Sequence, residues 1–361
     1  VPIYSSVSGT YKGIVKRMHN SLRPQNHMVI ECDFKQTKVQ SFAPLDWQSA
    51  SREECVDFVK NAGIVGLGGA GFPTYVKYMK PDGVDYVLIN AVECEPYITA
   101  DYRSVMDDAQ DLVTGAKIMK KMAEAKTVYI CIKESHPDLI EKVKSALNDA
   151  AGVEVRPVPD VYPMGWERVL VREVLHKEYG GLPAEAGAII GNASSAIAIA
   201  KAFEKGEAIT QKNLTVSGEC VKDPHNVCVP VGMPVSEIIE ACGGYTQDTV
   251  RLISGGPMMG KTIVNDMFVV DRAMNALTVL PAANDDAIAC LRCGKWSDHC
   301  PSGLQPVRIT AALKANDVDE MSKRGVMSCI ECGMCTYICP SHIDVTENVR
   351  KAKRIVMLKK K

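Results

Sequence analysis

The chain has 361 residues, of which 46% are hydrophobic and 24% charged, and a formal net charge of −1. That make-up belongs to a globular protein of about two to four domains and excludes a disordered or low-complexity chain. A near-zero charge gives no overall attraction to nucleic acid or an anionic membrane, and no apolar run reaches the roughly 18 residues of a membrane helix.

The chain opens on Val1 and runs directly into strand-like text, as expected of a fragment. Residues 1–47 carry short β-like pieces at 6–10 and 27–31 between Gly and Pro, part of a small β domain. Residues 48–205 alternate. Ser51-x-x-Glu54 is a capping box that opens a predicted helix over 51–62. A buried strand over 85–90, a helix over 102–123, a strand over 127–132 and a helix over 136–150 follow. This is α/β text, a sheet covered by helices. Residues 206–280 hold strand text at 214–218 and 251–255 and a helix over 236–242, a compact α+β module. Residues 281–361 are a cysteine-rich helical domain. It ends in six Lys or Arg over 351–361, which suit the C-terminal end of a solvated helix.

In the α/β segment, Gly66-Leu-Gly68-Gly69-Ala70-Gly71-Phe72-Pro73 contains G-x-G-x-x-G. The dinucleotide fingerprint must follow a strand and open a helix. Here helical text precedes the glycines and Phe72-Pro73 interrupts at once, so a Rossmann turn is disfavoured. So many glycines still let backbone N–H groups approach a flat or phosphorylated ligand, with a tight structural loop as the plain alternative. The strand ending in Asn90-Ala-Val-Glu93-Cys94-Glu95-Pro96 places an amide and two carboxylates where α/β proteins bind ligands.

Half of the 14 cysteines fall in two related runs near the C-terminus. Cys329-Ile-Glu-Cys332-Gly-Met-Cys335-Thr-Tyr-Ile-Cys339-Pro340 is a complete C-x₂-C-x₂-C-x₃-C-P. Cys290-Leu-Arg-Cys293-Gly-Lys-Trp296-Ser-Asp-His-Cys300-Pro301 keeps that frame with Trp296 in place of the third cysteine. Paired runs of this kind hold two clusters, each fourth cysteine serving the other run's cluster. Cys329, Cys332, Cys335 and Cys300 then form one full ligand set for a [4Fe–4S] cluster. Cys290, Cys293 and Cys339 leave the second site one ligand short. C-x₂-C is also zinc spacing, but the double run and its prolines match the cluster pattern. Metal-binding cysteines without a signal peptide point to a reducing cytosol.

The glycine loop with Lys77, the Asn90–Pro96 stretch and Tyr162-Pro-Met-Gly165-Trp-Glu167 resemble the NADH- and FMN-binding core of the complex I flavoprotein subunit. The form Glu93-Cys94-Glu95-Pro96-Tyr97-Ile-Thr-Ala-Asp101, followed by two ferredoxin-like runs, is most similar to the RnfC family. These are peripheral NADH-oxidising subunits of Rnf electron-transport complexes. Relatives include the RnfC-like electron carrier of proline reductase and the cobalamin reductase of propanediol microcompartments. The resemblance covers essentially the whole chain. It implies an FMN/NADH α/β domain at 48–205, an SLBB (β-grasp-like) domain at 206–280 and a two-cluster ferredoxin-like domain at 281–361. Residues 1–47 would be part of a barrel-sandwich. It also implies that Gly66, Gly68, Gly69, Ala70, Gly71 and Phe72 line the nucleotide and flavin site, with Lys77 near a phosphate. Asn90 and Glu93 would contact FMN and Glu95 the NADH. Tyr162, Gly165 and Glu167 would close the pocket, and Asn192 would lie near the flavin phosphate. The implied activity is NADH oxidation through FMN and [4Fe–4S] clusters, as an oxidoreductase subunit in the cytoplasm or peripheral on its membrane face. The implied partner is another subunit of an electron-transfer complex or a soluble redox protein. No side chain need act as nucleophile or general base.

Two positions depart from the family pattern. Trp166 stands where a small residue is expected and would narrow the flavin pocket. An iron–sulfur adaptor without flavin, or an SLBB-based binding scaffold, are the alternatives this raises. Trp296 admits three readings. The site holds a three-iron cluster, or a [4Fe–4S] cluster completed by Asp298, His299 or an outside ligand; it is empty; or the codon specifies cysteine or selenocysteine.

Overall fold

The computed structural model describes residues 1–148, 150–282 and 286–359. It separates into two compact units, Val1–Gly256 with Lys261–Pro281, and Pro257–Gly260 with Ala282–Lys361.

The first unit opens with an antiparallel hairpin, β1 (Gly9–Met18) and β2 (Pro24–Cys32), in which Ile14 faces Met28. Helix α1 (Arg52–Asn61) follows. Its capping box forms as the sequence predicts: Ser51 Oγ accepts from the Glu54 amide at 3.2 Å and Glu54 accepts from the Ser51 amide at 2.7 Å. The α/β core then runs β3 (Tyr86–Ala91), α2 (Ala100–Asp107), α3 (Ala109–Ala123), β4 (Thr127–Lys133), α4 (Pro137–Leu147), β5 (Val153–Val158), α5 (Glu167–Leu175), β6 (Ala188–Asn192) and α6 (Ala193–Lys205). The four strands form a parallel sheet in the order β5-β4-β3-β6.

That order explains where a ligand belongs. From β3 the chain moves outward to β4 and β5, then returns to add β6 on the other side of β3. The reversal leaves a crevice at the carboxyl ends of β3 and β6, the place where open α/β sheets bind ligands.

One predicted element divides. The helix expected over 102–123 breaks at Asp108, whose φ of −116° and ψ of 35° are not helical. The Asp108 carboxylate there meets Lys201 of α6 at 2.7 Å. Helix α3 lies against α6 so closely that a Cβ built on Gly115 would sit 2.0 Å from the Ala196 carbonyl oxygen. Val87, Ile89, Leu112, Ile130 and Phe203 fill the core between sheet and helices.

The second half of this unit is a five-stranded sheet in the order β10-β9-β11-β7-β8. Its members are β7 (Gln211–Ser217), β8 (His225–Pro230), β9 (Val250–Ser254), β10 (Lys261–Ile263) and β11 (Ala276–Pro281), with α7 (Val235–Ala241) packed on it. β7 and β11 run parallel and the other pairs antiparallel. Asp271 before β11 accepts from Asn20 of the opening hairpin at 2.7 Å.

The second unit is helical: α8 (Lys295–Asp298), α9 (Pro306–Lys314), α10 (Val318–Lys323), α11 (Met334–Tyr337) and α12 (Val345–Lys359). Its two cysteine runs share one backbone course. Arg292 and Glu331 both take positive φ (55° and 56°), as do Gly294 and Gly333 (78° and 80°), and each glycine caps a one-turn helix. Lys353 and Lys359 of the basic tail pair with Glu331 and Asp319, whereas Lys360 and Lys361 lie outside the described residues. No helix among the described residues is long and apolar enough to cross a membrane.

Candidate functional site

The glycine loop follows α1 rather than a strand, so the Rossmann reading fails for the reason its sequence context gives. The loop closes on itself: the Gly66 amide donates to Phe72 O at 2.8 Å and the Gly71 amide to Gly66 O at 3.2 Å. It is pinned from outside at Leu67. The Leu67 amide donates to Ser195 Oγ (2.8 Å), and its carbonyl accepts from the Lys212 ammonium (3.0 Å). Gly68, Gly69 and Ala70 are exposed, and among the described residues their amides have no protein acceptor. The loop thus presents a row of free N–H groups beside the N-terminus of α6, an anion cradle.

Asn192 ends β6 and caps α6, its Oδ1 accepting from the Ser195 amide at 3.3 Å. A Cβ on Gly68 would lie 3.0–3.1 Å from the Asn192 side chain, whereas at Gly69 it would meet nothing within 4 Å. The glycines therefore serve a close approach on one side and an open face on the other. Asn90 is the register partner of Asn192 across β3 and β6. It donates to Gly165 O at 2.6 Å and so holds the loop that carries Tyr162 and Glu167. Gly165 also lies against Cys94, since a Cβ there would stand 3.2 Å from its sulfur. Lys77 donates to Ile190 O at 2.8 Å and lies 3.4 Å from Glu167, a half-buried pair beside β6. Trp166 is half-buried at the N-cap of α5.

Gly66–Phe72, Asn90, Asn192 and Gly165 thus converge on one crevice, with Lys77 and Glu167 at its β6 side. Glu93 sits behind it. Its two carboxylate oxygens accept from the Asp101 and Tyr102 amides (2.9 and 3.0 Å) at the start of α2. Burial, and then the charge of Asp101, push its carboxyl up to about 7, against the two amides and Lys133. Glu95 turns toward Gly256, where a Cβ would come 2.5 Å from its carboxylate.

Sequence reasoning missed the residues that brace this crevice. Asp101 accepts from Asn192 Nδ2 (2.7 Å) and Ser194 Oγ (2.6 Å). Lys212 is fully buried, and desolvation lowers it to about 8 despite the opposing charges of Asp101, Asp271 and Glu93. A signal for Lys212 was present: it shares the period-2 face of Leu214 and Val216 in a strand, an apolar position. The exposed amides, the helix N-terminus and the glycine-lined approach fit a phosphate-bearing flat ligand such as FMN.

The cysteines divide as the crossed arrangement requires. One cavity, with about 410 Å³ of open space, is lined by Cys300, Cys329, Cys332 and Cys335. The other, about 260 Å³, is lined by Cys290, Cys293, Cys339 and Trp296. Among the described residues no three His, Cys, Asp or Glu side chains converge to hold a single metal ion. The thiols surround a space instead of meeting at a point. A space lined by thiols in this way fits a polynuclear iron–sulfur cluster. Burial pushes the Cys329 and Cys332 thiols up to about 11, so cluster assembly there displaces protons. The Glu331 amide donates to Cys329 Sγ at 3.4 Å, and the Thr346 hydroxyl lies 3.4 Å from Cys335 Sγ.

Family comparisons agree with this layout. The Nuo51 FMN-binding domain matches residues 59–201, the SLBB domain 213–262 and the 4Fe-4S dicluster domain 282–340. The chain is 34% identical to the RnfC subunit of the Na(+)-translocating ferredoxin:NAD(+) oxidoreductase complex of Acetobacterium woodii, over 100% of this chain and 83% of that one. The chain belongs to the RnfC family. The proton-translocating counterpart of Clostridium ljungdahlii is 35% identical over 84% of this chain and 68% of its own length. The RnfC subunit of the ion-translocating oxidoreductase complex of Rhodobacter capsulatus is 37% identical over 78% and 56%. In fold, the chain resembles a subunit of an NAD+-reducing [NiFe]-hydrogenase with a TM-score of 0.58 at 15% identity, covering 88% of this chain and 64% of that one.

Proposed function

We propose that this chain is an NADH:acceptor oxidoreductase subunit that binds FMN and NADH in the β3–β6 crevice and carries single electrons away through its cysteine-lined sites. When bound, FMN supplies hydride acceptance from NADH and one-electron release, and [4Fe–4S] clusters accept those electrons singly. The chain's own residues bind and position. The Gly68, Gly69 and Ala70 amides and the α6 N-terminus receive the phosphate, and Asn90 and Asn192 fix the crevice floor. Glu95, Tyr162 and Glu167 border the nicotinamide side, and Lys77 balances Glu167. The partners are other subunits of an ion-translocating complex or a soluble reductase such as proline reductase. The chain works in the cytoplasm, peripheral to any membrane complex.

One observation carries this reading: the glycine loop, closed by its own hydrogen bonds, lies against Asn192 at the point where the parallel sheet reverses direction. The test is an absorbance spectrum of purified protein with and without NADH. Bound or added FMN that bleaches with NADH supports it. No flavin uptake and no bleaching would sink it.

A further inference from the structure

The smaller cysteine-lined cavity differs from its twin at one corner. The shared backbone course of the two runs puts Trp296 on α8 where Cys335 stands on α11, each two residues after a left-handed glycine. Trp296 is 6% exposed and belongs to the core of the helical unit with Ile309, Met321 and Val345. It lines the cavity together with Cys290, Cys293 and Cys339, at the corner that Cys335 takes in the four-cysteine cavity.

Resting on the iron–sulfur reading above, we propose that this cavity takes a three-iron cluster, [3Fe–4S], held by Cys290, Cys293 and Cys339, with the Trp296 indole filling the corner of the missing iron. Each cluster iron needs one ligand beyond its sulfides, and three thiolates serve three irons. An indole N–H donates only and cannot ligate a fourth. Among the described residues no neighbour replaces it. Asp298 and His299 are exposed and do not line the cavity. Ser341 does line it, but its hydroxyl donates to Ala289 O at 3.1 Å. Its counterpart Ser302 lines the other cavity, where four thiols leave no corner vacant. Among the described residues the buried Trp296 Nε1 has no hydrogen-bond partner. Buried N–H groups are rarely left so, and a cluster sulfide at this wall is the acceptor that completes it.

The experiment is iron and sulfide analysis with electron paramagnetic resonance on anaerobically purified full-length chain. About seven irons per chain are expected, with the narrow, nearly isotropic signal of an oxidised three-iron cluster before reduction. Trp296→Cys, handled identically, should lose that signal and rise to about eight irons, which separates a native three-iron site from a damaged four-iron one. Trp296→Phe should keep the three-iron signal and shift its midpoint potential, because the donor is gone. Cys290→Ser should abolish the signal and spare the four-iron cluster. About eight irons in the unaltered chain overturns the proposal, as does a single four-iron cluster, and both leave the electron-transfer reading standing. A peptide mass from the native organism showing cysteine or selenocysteine at position 296 also overturns it. Absence of iron from both cavities overturns the proposal and the reading together.

Discussion

Asn90 and Asn192 stand in register at the carboxyl ends of β3 and β6, and each ties down a different wall of one crevice. Asn90 holds Gly165, and Asn192 holds Asp101, caps α6 and receives Gly68 in close contact. Asn192→Ala should cost about 1 kcal/mol of stability through the lost cap. It should weaken FMN binding by at least about tenfold, roughly 1.4 kcal/mol, since the cradle loses its floor. Asn192→Ser keeps a capping oxygen but cannot reach Asp101 as an amide donor. Its stability should recover while FMN affinity stays low. Fluorescence titration with FMN beside chemical denaturation separates the two effects.

Glu93 and Lys212 give the apo protein opposite pH slopes in different windows. The Glu93 carboxyl is raised from 4.5 to about 7. The folded state therefore keeps a proton that the unfolded state has lost, and stability falls as pH rises between those values. Lys212 is lowered from 10.5 to about 8, so the unfolded state holds the extra proton and stability rises from about pH 8 upward. Glu93→Gln should flatten the first slope and Lys212→Met the second. Denaturation midpoints at steps from pH 5 to 10 would read both. Lys212→Met also frees the Leu67 carbonyl, so it should loosen the glycine loop and weaken FMN binding even where it leaves the chain as stable as before.

Much of this layout was legible because cysteine spacing and capping chemistry are local. The Ser51–Glu54 box, the spacing within each cysteine run and the strand that runs through Asn90 all depend on residues within a few positions of one another. The crossing of the runs follows from the pattern they repeat. The misses were long-range. The helix over 102–123 reads as continuous, and only the contact with α6 places its break at Asp108. The glycine loop suggested a phosphate cradle, but its helix N-terminus comes from α6, more than a hundred residues later, which no local pattern announces. Asp101, the end of the Glu93–Asp101 motif and just outside the predicted helix, proved to be the hub linking Asn192, Ser194 and the Glu93 loop.

Gly115 makes that long-range packing possible. Alanine there would gain about 1 kcal/mol of helix propensity. It would also drive a methyl group to 2.0 Å from a backbone carbonyl that cannot rotate away. Overpacking of this kind costs typically about 1–3 kcal/mol, so, net of that gain, Gly115→Ala should destabilise by up to about 2 kcal/mol. Because α6 carries Asn192, Ser194 and Ser195, FMN affinity should fall with it. A cavity-forming change in the core of the helical unit, Met321→Ala, should lower that unit's stability without moving FMN affinity.

The crossing of the cysteine runs makes the sharpest test of the cluster layout. If each run held its own cluster, Cys300→Ser would damage the site of the first run and leave that of the second untouched. The cavities assign the opposite: Cys300 lies with Cys329, Cys332 and Cys335, and Cys339 lies with Cys290 and Cys293. Cys300→Ser should therefore abolish the signal of the four-thiolate cluster, and Cys332→Ser should do the same. Cys339→Ser should leave that signal intact although Cys339 belongs to the same run as three of its ligands. Thr346→Val tests the same cluster more gently. The Thr346 hydroxyl lies 3.4 Å from the Cys335 sulfur, and a cluster-bound thiolate, which carries no proton of its own, can only accept from it. Such a bond favours the more negative, reduced cluster. Its loss, at roughly 1 kcal/mol, should lower the midpoint potential by on the order of 40 mV for one electron. An unchanged potential in Thr346→Val, with the signal intact, would show that this hydroxyl does not tune the cluster.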